Sequence, residues 1–112
     1  MWLLSSDDNG ASWSCTDITA QIKRDSETGL LVSPGKGTLL EDGTIVIPFY
    51  NHYDTESSSG MERASFIYSS DNGKTWKRTG DVPDNHGFSS ESEIIELPDG
   101  TLRMFFRNGS GQ

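Results

Sequence analysis

The chain has 112 residues, which allows one modest domain at most, and only 32% of them are hydrophobic. Its formal net charge is −8, with 9 Lys and Arg against 17 Asp and Glu. No basic stripe of the kind a nucleic-acid binder carries is present, and no apolar run approaches the ~20 residues needed to span a bilayer, so neither nucleic acid nor a membrane segment is expected. Disorder is excluded by aromatics at 10%, including three Trp, placed in regular apolar runs.

One cysteine, Cys15, cannot build a disulfide framework and reads as a buried, inert thiol. Twelve Gly, four Pro and many Ser, Asp and Asn describe short strands and frequent turns. His52 and His86 lack ligand-like spacing, and no metal or cofactor is expected.

In chain order, the first feature is Ser6-Asp7-Asp8-Asn9-Gly10-Ala11-Ser12-Trp13, which returns as Ser69-Ser70-Asp71-Asn72-Gly73-Lys74-Thr75-Trp76. The shared pattern is Ser-x-Asp-Asn-Gly-x-x-Trp. A hairpin turn explains the residue types. The Asp carboxylate accepts backbone N–H groups of its own turn, Gly takes a positive φ, and the Trp ring folds back over the strands. Ser6, Asp8, Gly10 and Trp13, with Ser69, Asp71, Gly73 and Trp76, are therefore structural Asp-box residues rather than catalytic ones.

After the first box, Ile18 to Arg24 has the makings of one or two helical turns with Asp17 as a cap. Asp25 to Ser33 reads as a polar connection. Gly37 to Glu41 and Thr44 to Tyr50 flank Asp42-Gly43, a two-residue hairpin signal. Asn51 to Glu62 is a second connection. Ala64 to Ser69 enters the second box and Thr75 to Arg78 leaves it. A third connection, Asp81 to Ser90, precedes two strands, Glu91 to Leu97 and Thr101 to Arg107, which flank Pro98-Asp99-Gly100.

If each box joins the third and fourth strands of a four-stranded blade, residues 1–16 close one blade, 37–79 make a complete blade, and 91–107 open the next. That length fits a propeller repeat of ~40–50 residues. The fold class is all-β: a partial β-propeller of four-stranded antiparallel blades joined by Asp-box turns, with a two-sheet sandwich as the alternative. A partial propeller leaves open blade edges through which the fragment is expected to self-associate.

Glu91 lies eight residues before Asp99 and Arg107 eight after it, so both stand at the open mouth of one hairpin. They are neighbours or near neighbours across the ladder, and the facing pair depends on whether the loop has two or three residues. Taken alone, they form a cross-strand ion pair.

The boxes, Ser33-Pro34-Gly35-Lys36-Gly37, Ile45-Val46-Ile47-Pro48-Phe49-Tyr50, and above all the stretch Glu91-Ser92-Glu93 through Phe106-Arg107-Asn108, resemble bacterial exo-α-sialidases over nearly the whole chain. The resemblance implies a six-bladed propeller that hydrolyses terminal sialic acid with retention. Three arginines clamp the sugar carboxylate, a Tyr attacks the anomeric carbon, a Glu activates that Tyr, and an Asp is the acid/base. Glu91 matches the activating Glu, and Arg107 matches the middle clamp Arg. Sialidases depart from the two-carboxylate scheme by using Tyr. A planar guanidinium suits a carboxylate because it can donate two parallel hydrogen bonds.

Tyr50 leaves a second strand on the same propeller face and is a candidate substrate-binding residue, not the nucleophile. Arg103 is a weaker clamp candidate, and Glu93 and Glu96 read as structural or solvated. The first clamp Arg, the acid/base Asp, the third clamp Arg and the nucleophile have no counterparts within these residues. The isolated fragment is therefore expected to be inactive. The implied partner is a sialylated glycan, and the implied location is secreted, periplasmic or cell-surface. A non-catalytic Asp-box propeller and a trans-sialidase remain as alternatives.

Overall fold

The computed structural model describes residues 1–56, 60–83 and 87–109; His86 lies outside them. Among the described residues, nine strands and one helical turn follow in chain order: β1 (Trp2–Ser5), β2 (Ser14–Asp17), α1 (Thr19–Ile22), β3 (Glu27–Val32), β4 (Thr38–Leu39), β5 (Ile45–Tyr53), β6 (Met61–Ser69), β7 (Lys77–Arg78), β8 (Ser89–Glu96) and β9 (Leu102–Asn108). They form three antiparallel sheets. β1 pairs with β2 and β8 with β9, and between them lies a sheet in the order β3-β5-β6-β7, with β4 also on β5.

The two boxes close the β1–β2 and β6–β7 turns with the same bonds. Ser6 Oγ donates to Asp8 Oδ1 at 2.8 Å and accepts Gly10 N at 2.7 Å, and the corresponding Ser69 contacts are 2.7 and 2.8 Å. The Asp also accepts from the residue before the Trp: Ser12 N and Oγ at 2.8 and 2.6 Å, and Thr75 N and Oγ1 at 2.9 and 2.6 Å. Each indole N–H donates to the box Gly carbonyl at 3.1 Å. Positive φ is carried by two residues in each box, Asn9 and Gly10, and Asn72 and Gly73. This suits Asn, which tolerates the left-handed region better than other side chains.

The core lies between the central sheet and the β1–α1 segment. Ile18, Ile22, Phe49, Ile67 and Trp76 are buried together, with Leu3, Leu30, Ile45 and Ile47 packed against them. The near-continuous apolar run Ile45–Tyr50 makes β5 the strand covered on both faces: its odd residues meet this core, while β8 packs on the other side, where Val46 and Pro48 are buried. The cap position of α1 is Ile18 rather than the expected Asp17, which stands one residue earlier and accepts Thr19 N at 2.9 Å.

Cys15, expected to be buried, is exposed on β2, because among the described residues no element covers either face of that strand. Three further features differ from the sequence reading. First, Glu27–Val32 is a strand, β3, where a polar connection was expected. The Asp25-Ser26-Glu27 sequence looks like a turn, yet Glu27 is buried against Asn51 and Arg78. β3 and β4 are collinear, so the first strand of the sheet begins ten residues before Gly37 and is broken at Ser33–Gly37. Second, β5, β6 and β8 extend into the segments read as connections, to Tyr53, from Met61 and from Ser89. Third, the Asp42-Gly43 turn is not a two-residue hairpin. Leu40 N donates to Thr44 O at 2.8 Å and Gly43 N to Leu40 O at 3.0 Å, and of the loop residues only Gly43 has positive φ. A two-residue type I′ turn would need it at both central residues. Asp42 instead accepts Thr44 N at 2.8 Å. Pro98-Asp99-Gly100 repeats this loop, with Leu97 N on Thr101 O at 2.9 Å and Asp99 accepting Thr101 N at 3.0 Å.

Candidate functional site

The three-residue loop at 98–100 fixes which residues of β8 and β9 face one another. Glu96 pairs with Leu102, and the ladder runs in step to Ser92 with Phe106. It then slips, because Ser89 pairs with Asn108, so Ser90 and Glu91 together stand opposite Arg107 in a bulge. A bulge re-aims the side chains it carries. Glu91 nonetheless keeps the outward parity of Glu93, and Arg107 that of Phe105, with Arg107 Nη1 3.4 Å from Glu91 Oε2 and side-chain exposures of 67% and 46%. The contact is long and single, so the guanidinium keeps most of its fork open to solvent. An exposed pair of this kind stabilises a fold by only ~0–1 kcal/mol. Stability therefore gives a weak reason for an acid and a guanidinium at this lip.

Glu91 and Arg107 line a depression of about 310 Å³, walled also by Pro34, Gly35, Glu93 and Phe105. The break in the first strand supplies the Pro34-Gly35 wall. Tyr50 is not one of the walls. It is half-buried on the β5 face that β8 packs against, and burial raises its phenol pKa above the usual value. Glu62 and Glu91 raise it further, and Arg107 works against them, so the phenol lies within the field of both candidate residues. The structure thus brings Glu91 and Arg107 into contact and puts Tyr50 beside them. The Asp boxes lie at the other end of the blade, next to the Ile45–Ser69 pair, whereas Tyr50 nears the Tyr53–Met61 end.

His52 and Glu62 belong to the same neighbourhood; in the sequence His52 was weighed only as a metal ligand and Glu62 was not singled out. They pair across β5 and β6, with His52 Nε2 2.9 Å from Glu62 Oε1 and the Tyr50 and His52 rings 6.0 Å apart. The one available signal was parity: His52 is two residues beyond Tyr50 on the same face. Of the weaker candidates, Arg103 faces Ile95 toward the turn, Glu93 is exposed, and Glu96 accepts Glu41 N at 2.8 Å in a structural contact. A larger cavity of about 420 Å³ opens on the opposite face of β5–β6 between Arg24, Glu27, Asn51, Arg63 and Asp81. Its charges satisfy one another, with Arg24 on Asp81 at 2.7 Å and Asn51 on Glu27 at 2.5 Å, so it reads as a structural network. Among the described residues, no group of three or more His, Cys, Asp or Glu could hold a metal ion. No helix among them is long and apolar enough to cross a membrane.

A four-stranded antiparallel sheet between two ribbons, with Asp boxes closing its turns, defines a segment of an Asp-box β-propeller. The chain belongs to the BNR repeat-like domain family, whose model matches residues 1–112. It is similar to a sialidase of Paraclostridium sordellii, at 41% identity over 95% of this chain and 27% of that protein. It is also similar to an anhydrosialidase of Macrobdella decora, at 34% identity over 94% of this chain and 13% of that protein. Among solved structures it matches the Hadza microbial sialidase Hz136 with a TM-score of 0.85 and 32% identity, covering 98% of this chain and 20% of that one. The chain thus spans about a quarter or less of the relatives it resembles.

Proposed function

We propose that this chain is the part of a retaining exo-α-sialidase that holds one corner of the sialic-acid site. Arg107 donates to the carboxylate of the sugar, and Glu91 takes the proton of a Tyr nucleophile carried elsewhere in the parent protein. The observation that carries the reading is the Glu91–Arg107 contact, held on the exposed face of the β8–β9 ribbon beside a cavity. The sialidase relatives support it.

The chemistry fits the residue types. The anionic sugar repels an anionic nucleophile, and a neutral phenol with a pKa near ~10 is a poor one until a neighbouring carboxylate accepts its proton. Arg107 offsets the substrate charge and orients the ring for attack. Tyr50, half-buried near the depression but not one of its walls, is a candidate substrate contact. The substrate is a sialylated glycan, and such substrates make an extracellular, periplasmic or cell-surface location the expected one. The remaining clamp arginines, the acid/base and the nucleophile come from outside the 112 residues, so this chain alone turns over no sialoside.

The test is Glu91→Gln and Arg107→Ala in the full-length protein with a fluorogenic aryl sialoside. Losing a general base costs on the order of 10²–10⁴ in kcat. Arg107→Ala mainly weakens binding of the carboxylate. Normal kcat/KM in both variants overturns the assignment and favours a non-catalytic propeller. Product analysis with a lactose acceptor separates hydrolysis from trans-sialylation.

A further inference from the structure

We propose that Ser33 is a positioning residue for Glu91, acting through the backbone amide of Ser92; the inference rests on the role proposed for Glu91. It begins with the break in the first strand. β3 ends at Val32, paired with Phe49, and the next pair would be Ser33 with Pro48. Pro34 and Pro48 both lack an N–H, so the ladder cannot continue from either strand, and the last bond is Ser33 N to Pro48 O at 3.2 Å. The chain leaves the sheet at this point and rejoins it at Thr38.

The excursion faces β8. Ser33 Oγ accepts Ser92 N at 3.2 Å and lies 3.2 Å from Ser92 Oγ. Both serines are buried, at 3% and 6% exposure. Gly35 follows so closely that a Cβ there would lie 3.6 Å from Ser92 O. Further along, Thr38 Oγ1 donates to Ile94 O at 2.8 Å. The first strand therefore holds β8 at Ser92 and again at Ile94.

Ser92 is the shoulder of the bulge. Beyond it, toward the mouth, the β8–β9 ladder slips, and Glu91 is the first residue in the gap. The ladder fixes one side of that residue only through Ser92, and Ser33 supplies the buried acceptor for the Ser92 amide. A buried N–H without an acceptor is costly, so removing the Ser33 hydroxyl drives the shoulder to move. The Glu91 carboxylate moves with it relative to Arg107. A small misplacement of a reacting group lowers turnover sharply.

The experiment compares two single hydroxyl deletions in the full-length protein. Ser33→Ala removes the acceptor of the Ser92 amide, whereas Ser92→Ala leaves that amide and the Ser33 hydroxyl in place. For an aryl sialoside, Ser33→Ala is expected to lower kcat by about tenfold or more with KM nearly unchanged, and Ser92→Ala, which keeps the acceptor of the amide, to lose clearly less. In a Glu91→Gln background, Ser33→Ala is expected to add little further loss, because both changes act on one group. A purely structural role gives the opposite pattern: the two losses multiply. If Ser33→Ala yields no folded protein, Ser33→Cys, whose sulfur is a weak acceptor, carries the same expectation. Wild-type kcat in the Ser33 variant, or full multiplication with Glu91→Gln, overturns the inference while leaving the role of Glu91 intact. Wild-type turnover of Glu91→Gln alone overturns that role first.

Discussion

Arg78 Nη1 meets Glu27 Oε1 at 2.6 Å inside the blade, joining the fourth strand of the sheet to the first, with side-chain exposures of only 5% and 2%. Burial alone would raise the Glu27 carboxyl pKa, but hydrogen bonds from Asn51, the Arg24 amide and Arg78, with the Arg78 charge, outweigh it and hold the pKa below the usual value. Arg78 Nη2 also reaches Asp81 at 2.6 Å, and its guanidinium lies 4.9 Å over the Phe49 ring. Breaking a buried pair by removing one partner costs ~3–5 kcal/mol, because the other charge stays buried. Arg78 Nε is already buried without a hydrogen-bond partner among the described residues, so the guanidinium has little to spare. Glu27→Gln in the full-length protein is therefore expected to destabilise by a few kcal/mol, and Glu91→Gln, at an exposed pair, by ~1 kcal/mol or less. Urea denaturation of the two variants checks the ranking, and equal losses would refute it.

The Asp boxes set a pH window. Asp71 is held at a pKa of about 2 against an ordinary 3.8, first by the Thr75 hydroxyl, then by the Thr75 amide and the Ser69 hydroxyl. Asp8 is lowered to about 2 by the equivalent Ser12 and Ser6 contacts. A carboxyl whose folded pKa lies below its unfolded value contributes in full above the unfolded pKa, and the contribution fades as pH falls toward the folded one. The box contribution is thus complete above about pH 4 and lost on the way to about pH 2. Asp8→Asn with Asp71→Asn is expected to flatten the rise of stability between those pH values. Denaturant midpoints taken across that range measure it, and an unchanged slope would show that the carboxylates are not the cause.

The two box indoles have the same internal bond and different surroundings. Trp76 is 4% exposed in the core with Phe49 and Ile67, whereas Trp13 is 61% exposed. Truncating a buried aromatic costs ~3–5 kcal/mol, and an exposed one about 0.5 kcal/mol. Trp76→Ala is expected to lower the melting temperature sharply and Trp13→Ala only slightly. A large loss at Trp13 would mean that further parts of the parent protein cover that ring.

What was legible in the sequence follows from the range over which each bond acts. The bonds that close the turn of an Asp box are made within the box, so Ser69, Asp71, Gly73 and Trp76 announce their roles without tertiary information. Asn72 and Thr75 share those roles and were readable by the same logic. β3 was not legible, because Glu27 becomes a strand residue through Arg78, 51 positions away. The mouth of the β8–β9 hairpin was readable from the spacing about Asp99. The bulge that places Ser90 and Glu91 against Arg107 was not, since nothing local in Ser89-Ser90-Glu91-Ser92 marks a slipped register. Tyr50 was reachable from topology, while the His52–Glu62 pair needed the β5–β6 register.

The two flanking ribbons predict how the 112 residues behave alone. Each has two strands and exposes large apolar side chains, Trp2 and Leu4 on β1, and Ile95 and Phe105 on β8 and β9. Outside its pairing with β8, β9 makes no ladder among the described residues, so its other edge is open to a further strand. Open edges with apolar faces pair with other chains unless charge or cover prevents it. Around Phe105, 61% exposed, Arg103, Arg107 and Glu93 supply some charge but leave the ring bare. The isolated chain is therefore expected to elute above monomer size, and light scattering is expected to show mass rising with concentration. Phe105→Lys, which places a charge on the face without touching the core, is expected to shift the population toward monomer. A monodisperse monomer at tens of micromolar would mean that these faces are covered within the chain itself.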